Sequence, residues 1–100
     1  ALVEKRTPHC RLAIVHELVA AGKIRTTASA LTGAAAIELD VDGIVRVVMA
    51  LTAKDFHKSM TTYADHRIWQ DVYHASTSVG AVYLKLTVIE DVVVVSFKEL

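Results

Sequence analysis

One hundred residues, 53% of them hydrophobic, are enough for one packed core that buries roughly 65% of the unfolded surface, and too apolar for a disordered chain. The formal net charge is zero, with 11 Lys and Arg against 11 Asp and Glu, so the overall basic footprint of a typical nucleic-acid binder is missing. The single cysteine, Cys10, rules out an internal disulfide and suits a reducing cytosol; no apolar run approaches the ~20 residues of a membrane span, and Glu4, Lys5, Arg6 and Pro8 interrupt any signal-peptide core. A cytoplasmic protein is expected. Charge is nonetheless uneven. Lys5, Arg6, Arg11, Lys23 and Arg25 outnumber Glu4 and Glu17 in the first quarter, and Glu38, Asp40 and Asp42 cluster later. Solvated faces are the simpler reading of both.

Ala1 and Leu2 start the chain without a Met and read as an added remnant. Thr7 with Pro8 has the form of a helix start, since Pro loses nothing in a first turn. Leu12, Val15, Leu18 and Val19 then form an apolar stripe, and Gly22 is a natural stop. Thr26 or Thr27 is placed to cap a second helix through residues 28 to 36. Asp40 or Asp42 precedes a third, in which Ile44, Val47, Val48 and Leu51 recur at helical spacing. Residues 52 to 55, TAKD, have capping-box spacing and predict a tight turn.

From Phe56 onward the period changes to two. FHKSMTTY, RIWQDVY, AVYLKLTVI and VVVVSFKEL predict four strands. Three helices followed by four strands, without alternation, predict an α+β fold with an antiparallel sheet in one domain spanning residues 1 to 100. If Glu90-Asp91 is a two-residue turn, Leu84 faces Phe97, Leu86 faces Val95 and Val88 faces Val93. All three pairs are apolar. The same register puts Tyr83 opposite Lys98 and Lys85 opposite Ser96, although Glu-Asp is poor primed-turn chemistry.

Tyr83, Lys85 and Lys98 on one open face could hold a phosphate and move a proton, while lysines on an outer strand face also serve simply as solvated protection. His9, Cys10 and His16 lack the paired spacing of a metal site. His57 and His66 are acid or base candidates, though a hydrogen-bonded surface histidine is the ordinary state. Asp65 and Asp71 are too isolated for a carboxylate pair. Tyr63, Trp69 and Tyr73 suit base stacking or a core equally well. Periodicity puts Trp69, Asp71 and Tyr73 on one face and Ile68, Gln70 and Val72 on the other, without saying which is inside.

VEKRTPHCRL, AGKIRTTASAL, KSMTTYADHRIWQDVY and VYLKLTVIEDVVVVSFKEL, in this order, closely resemble the motility quorum-sensing regulator toxin family, MqsR, across nearly the whole chain from Val3. That resemblance implies a RelE-like ribonuclease fold and the toxin of a bacterial type II toxin–antitoxin pair. The implied activity is ribosome-independent cleavage of messenger RNA, typically at GCU-type sites, by metal-independent attack of the 2′-hydroxyl. It implies a catalytic cluster of Lys58, Gln70, Tyr83 and Lys98, no cofactor, and a substrate-binding margin of His57, Met60, His74 and Lys85. The implied partner is an MqsA-like antitoxin with zinc-binding and DNA-binding domains, expected at a sheet edge or basic face. Two positions depart from the family strings: His57 stands where Tyr is expected and His74 where Arg is expected. The rival expectation is a non-catalytic RNA- or antitoxin-binding module on the same fold.

Overall fold

The computed structural model describes residues 3–99, with side chains described as far as Phe97; Ala1, Leu2 and Leu100 lie outside the described residues. The first helix, α1, spans Leu12–Ala20 and buries Val15 and Val19. Gly22, at φ 78°, lets the chain reverse so that its amide donates to the Val19 carbonyl and that of Lys23 to Leu18. Helix α2, Ala28–Ala35, is capped by the Thr27 hydroxyl, which accepts from the Ala30 amide at 3.1 Å. Helix α3, Val41–Ala50, is capped by Asp40, whose carboxylate accepts from the Gly43 amide at 2.8 Å. Thr52 and Asp55 close the expected tight turn, with the Thr52 amide donating to the Asp55 carboxylate at 2.8 Å.

The start of α1 is a correction. Its N-cap is Arg11, without a side-chain cap, so Thr7 and Pro8 lie outside the helix. The reason is a competing partner. Asp71, 3% exposed, accepts from the amides of His9 and Cys10 at 2.9 Å each, and this bidentate anchor holds the preceding segment as an extended strap.

Six strands form one sheet in the order β1-β3-β4-β5-β6-β2, with β1 Glu4–Lys5, β2 Ile24–Thr26, β3 Phe56–Thr61, β4 Trp69–Thr77, β5 Gly80–Ile89 and β6 Val92–Glu99. The four expected strands are present, but β1 and β2 were not expected. β1 pairs antiparallel with β3, while β2 runs parallel to β6, with Ile24 opposite Val93. Elements of two and three residues are too short to display a period of two, so they escape any pattern search. The fold is α+β. The three helices pack against one face of the sheet, around Val15, Ala30, Ile44, Leu84, Val95 and Phe97.

The β5–β6 hairpin has the expected register: Leu84 faces Phe97, Leu86 faces Val95, Val88 faces Val93 and Tyr83 faces Lys98. Glu90 and Asp91 form the turn with φ of 49° and 61°, the left-handed pair of a primed two-residue loop. Non-glycine residues there store strain of about 1 kcal/mol or more each. Replacing Glu90-Asp91 by Asn-Gly is therefore expected to stabilise the protein by about 1 kcal/mol, read as a raised urea midpoint with unchanged slope. Asp71→Ala, which strips two buried amides of their acceptor, is expected to cost about 3 kcal/mol in the same measurement.

Candidate active site

The face of the sheet opposite the helices carries Lys58, Gln70, His74, Tyr83 and Lys85. Alternation along β5 buries Val82, Leu84 and Leu86 and leaves Tyr83 and Lys85 half-buried on the other side. On β4 the ambiguity is resolved by burial: Asp71 and Tyr73 go to the helix side, Tyr73 being 1% exposed, and Gln70 and His74 to the open face. Burial pushes the Tyr73 phenol up to about 12, with Asp71 adding to it, so this hydroxyl stays protonated.

The first strand of the site carries an irregularity that shapes it. Phe56 pairs with Tyr73 but Lys58 already pairs with Val72, so His57 is an extra, bulged residue. Phe56 packs edge-on against Tyr73 at 5.5 Å on the helix side. His57 instead stacks on His74 at 4.2 Å, so two consecutive residues, His57 and Lys58, both serve the open face.

Two cross-strand rows result. One runs Lys58, Val72, Lys85, Ser96. The other runs from the bulged His57 to His74, Tyr83 and position 98, with His74 and Tyr83 rings 5.3 Å apart. Rows two residues apart on a strand lie ~7 Å from each other. Val72, 0% exposed, lies between Lys58 and Lys85 and gives the rows an apolar floor apart from the helix-side core. Met60 faces Gln70 at the next position. The Lys85 ammonium lies 5.9 Å from the Tyr83 ring centre. The Lys98 side chain lies outside the described side chains; its backbone register does not.

The residues matched by known proteins cover this whole face. The family described as "Motility quorum-sensing regulator, toxin of MqsA" matches residues 7–99. The "mRNA interferase toxin MqsR" of Escherichia coli (strain K12) is 59% identical over 97 residues, which cover 97% of this chain and 99% of that protein. The chain belongs to the MqsR toxin family.

On this MqsR-family face, Lys58, Gln70, Tyr83 and position 98 lie on four adjacent strands, with His57, Met60, His74 and Lys85 interspersed. One neighbour was missed. Glu4 of β1 accepts a hydrogen bond from the Lys58 ammonium at 2.6 Å, and this contact holds its carboxyl below the usual range. No local signal announces a partner 54 residues away. Other candidates lie elsewhere. Trp69 stacks on His9 at 5.5 Å with the Lys5 ammonium 4.2 Å from its ring, and Tyr63 is exposed in the loop before β4, so the three aromatics form no common platform. His16 bonds the Val48 carbonyl through Nε2, and Asp65 binds the Arg67 guanidinium. Burial and the Asp71 carboxylate push the Cys10 thiol up, away from nucleophilic duty.

Glu4 occupies the Lys58 ammonium, so a phosphate brought to Lys58 would have to compete with this carboxylate. Glu4→Gln is expected to tighten binding of an uncleavable 2′-O-methyl RNA by about 3- to 10-fold at low salt, and to lose that gain at high salt, as read by fluorescence anisotropy.

Proposed function

We propose that this chain is a ribosome-independent messenger RNA endoribonuclease, the toxin of a bacterial type II toxin–antitoxin pair, acting in the cytoplasm as a single domain. Membership of the MqsR family and the 59% identity to an mRNA interferase toxin support the toxin ribonuclease activity in general terms. The observation that carries the chemistry is the register of Tyr83 against Lys98, in the row beside Lys58 and Lys85, on the face the helices leave open.

In this reading the 2′-hydroxyl attacks the adjacent phosphorus and the 5′-oxygen leaves, without a metal ion. Lys58 and Lys98 offset the extra negative charge of the pentacoordinate phosphate, where preorganised cations act most strongly. Tyr83 supplies a proton to the departing oxygen, and Gln70 orients the phosphate or the 2′-hydroxyl. His57, Met60, His74 and Lys85 contact the flanking nucleotides and bias cleavage toward GCU-type sites. An MqsA-like antitoxin, with zinc-binding and DNA-binding domains, docks on an edge or basic surface and leaves the catalytic face uncovered. The strands β1 and β2 are the two sheet edges, each short and able to accept an added strand.

Purified protein is expected to cut a defined RNA at discrete positions in excess chelator, leaving 2′,3′-cyclic phosphate ends. Lys98→Ala is expected to slow cleavage by about 100-fold or more, roughly 3 kcal/mol of transition-state stabilisation, with the melting temperature little changed. Lys98→Arg should restore part of the rate, since the charge returns without the compact geometry. Binding without cutting would favour the non-catalytic module instead.

A further inference from the structure

Attack by a 2′-hydroxyl requires one proton to leave O2′ and another to reach O5′. Lysine and tyrosine side chains ordinarily hold their protons to ~10 and above, so both types donate readily at neutral pH and accept poorly. A glutamine amide does neither. Imidazole is the side chain whose ordinary pKa lies close to neutrality.

The open face carries two imidazoles. His57, exposed at the bulge, stacks on His74 with rings 4.2 Å apart and 20° from parallel, and His74 in turn leans on Tyr83. The remaining histidines are elsewhere: His9 lies against Trp69, His16 bonds the Val48 carbonyl, and His66 sits in the loop before β4. Of the two on this face, His74 has its Nε2 enclosed and without a hydrogen-bond partner among the described residues. His57 is the ring that a substrate oxygen can reach.

The groups facing His57 are Lys58 on its own strand, Glu4 and Arg6 from the strap, His74 on β4, then Tyr83 on β5 and position 98 on β6 by register. Loss of solvation is the largest influence and lowers its pKa; His74, Lys58 and Arg6 lower it further, and Glu4 opposes them. The neutral, proton-accepting ring is therefore the form favoured at pH 7.

We propose, resting on the ribonuclease reading of this face, that His57 is the general base of the cleavage and His74 the positioning residue that holds its ring by stacking. A nitrogen of His57 takes the 2′-hydroxyl proton as O2′ bonds to phosphorus. The P–O5′ bond breaks, and O5′ takes the Tyr83 hydroxyl proton. The products are a 2′,3′-cyclic phosphate and a free 5′-hydroxyl. His57 then returns its proton to water, and Tyr83 regains one.

The test is the pH dependence of kcat/KM from pH 4.5 to 8.5 on one defined RNA for the wild type, His57→Gln and His74→Gln. Binding of the 2′-O-methyl analogue and thermal melting are measured alongside. The wild type is expected to lose activity toward acid with an apparent pKa below the ordinary ~6.5 of imidazole. His57→Gln is expected to lower the plateau by about 100-fold and to abolish that acid limb, a loss larger than any accompanying loss of analogue binding. His74→Gln is expected to move the limb upward, because one of the influences lowering the His57 pKa is gone. A variant at position 57 that cleaves within about threefold of wild type with the same acid limb overturns the proposal. A folded wild type whose rate is flat from pH 5 to 8 overturns it without any variant. A wild type that binds RNA and never cuts overturns the ribonuclease reading itself, and this inference with it.

Discussion

The pairing of β5 with β6 is the constraint on which the site depends. Leu84, Leu86 and Val88 meet Phe97, Val95 and Val93 on the helix side, and a period of two then places Tyr83 opposite Lys98 and Lys85 opposite Ser96 on the other. A one-residue slip would carry a whole set of side chains to the wrong face, burying lysine and tyrosine under the helices and exposing leucine. The apolar contacts are strong enough to force Glu90 and Asp91 into left-handed backbone that their side chains disfavour. Core packing thus sets the spacing of the groups proposed to act on RNA, although these six side chains lie on the opposite face.

This arrangement also explains how a chain of zero net charge can gather lysines on one face. Lys58 and Lys85 are brought to either side of the buried Val72, where the low local polarity strengthens their field. The acidic residues Glu38, Asp40 and Asp42 lie on the helical side of the chain order, with Asp40 engaged in capping α3. Among the described side chains, Glu4 brings a carboxylate to Lys58, and it does so through the strap.

The strap is held by Asp71, on the helix-side face of the same strand whose open face carries Gln70 and His74. One strand therefore anchors the N-terminal segment with one set of side chains and builds the site with the other. The bulge at His57 adds a further coupling, since it lets Phe56 pack on Tyr73 while His57 and Lys58 both reach the open face. Stability and site geometry share these residues, so a substitution at Asp71 or Phe56 should be felt in both.

Much was legible without coordinates. Helical spacing and capping residues located α2 and α3, and cross-strand apolar matching determined the β5–β6 register, because each rests on local repetition that a linear pattern records. The long strings shared with the MqsR family identified the family, and the cluster of Lys58, Gln70, Tyr83 and Lys98 is what that resemblance implies. What the pattern could not hold was decided by contacts between distant parts of the chain. The extended strap in place of a helix start at Thr7 follows from the buried Asp71 carboxylate, more than sixty positions away. The edge strands β1 and β2 are too short for periodicity and exist only because β3 and β6 offer them backbone partners. The inward face of β4 was set by which side chains the helices could bury, and the stacking of His57 on His74 by a bulge that breaks the very alternation from which strands are read. Local preference wrote the elements; long-range hydrogen bonding and packing chose which groups would face one another.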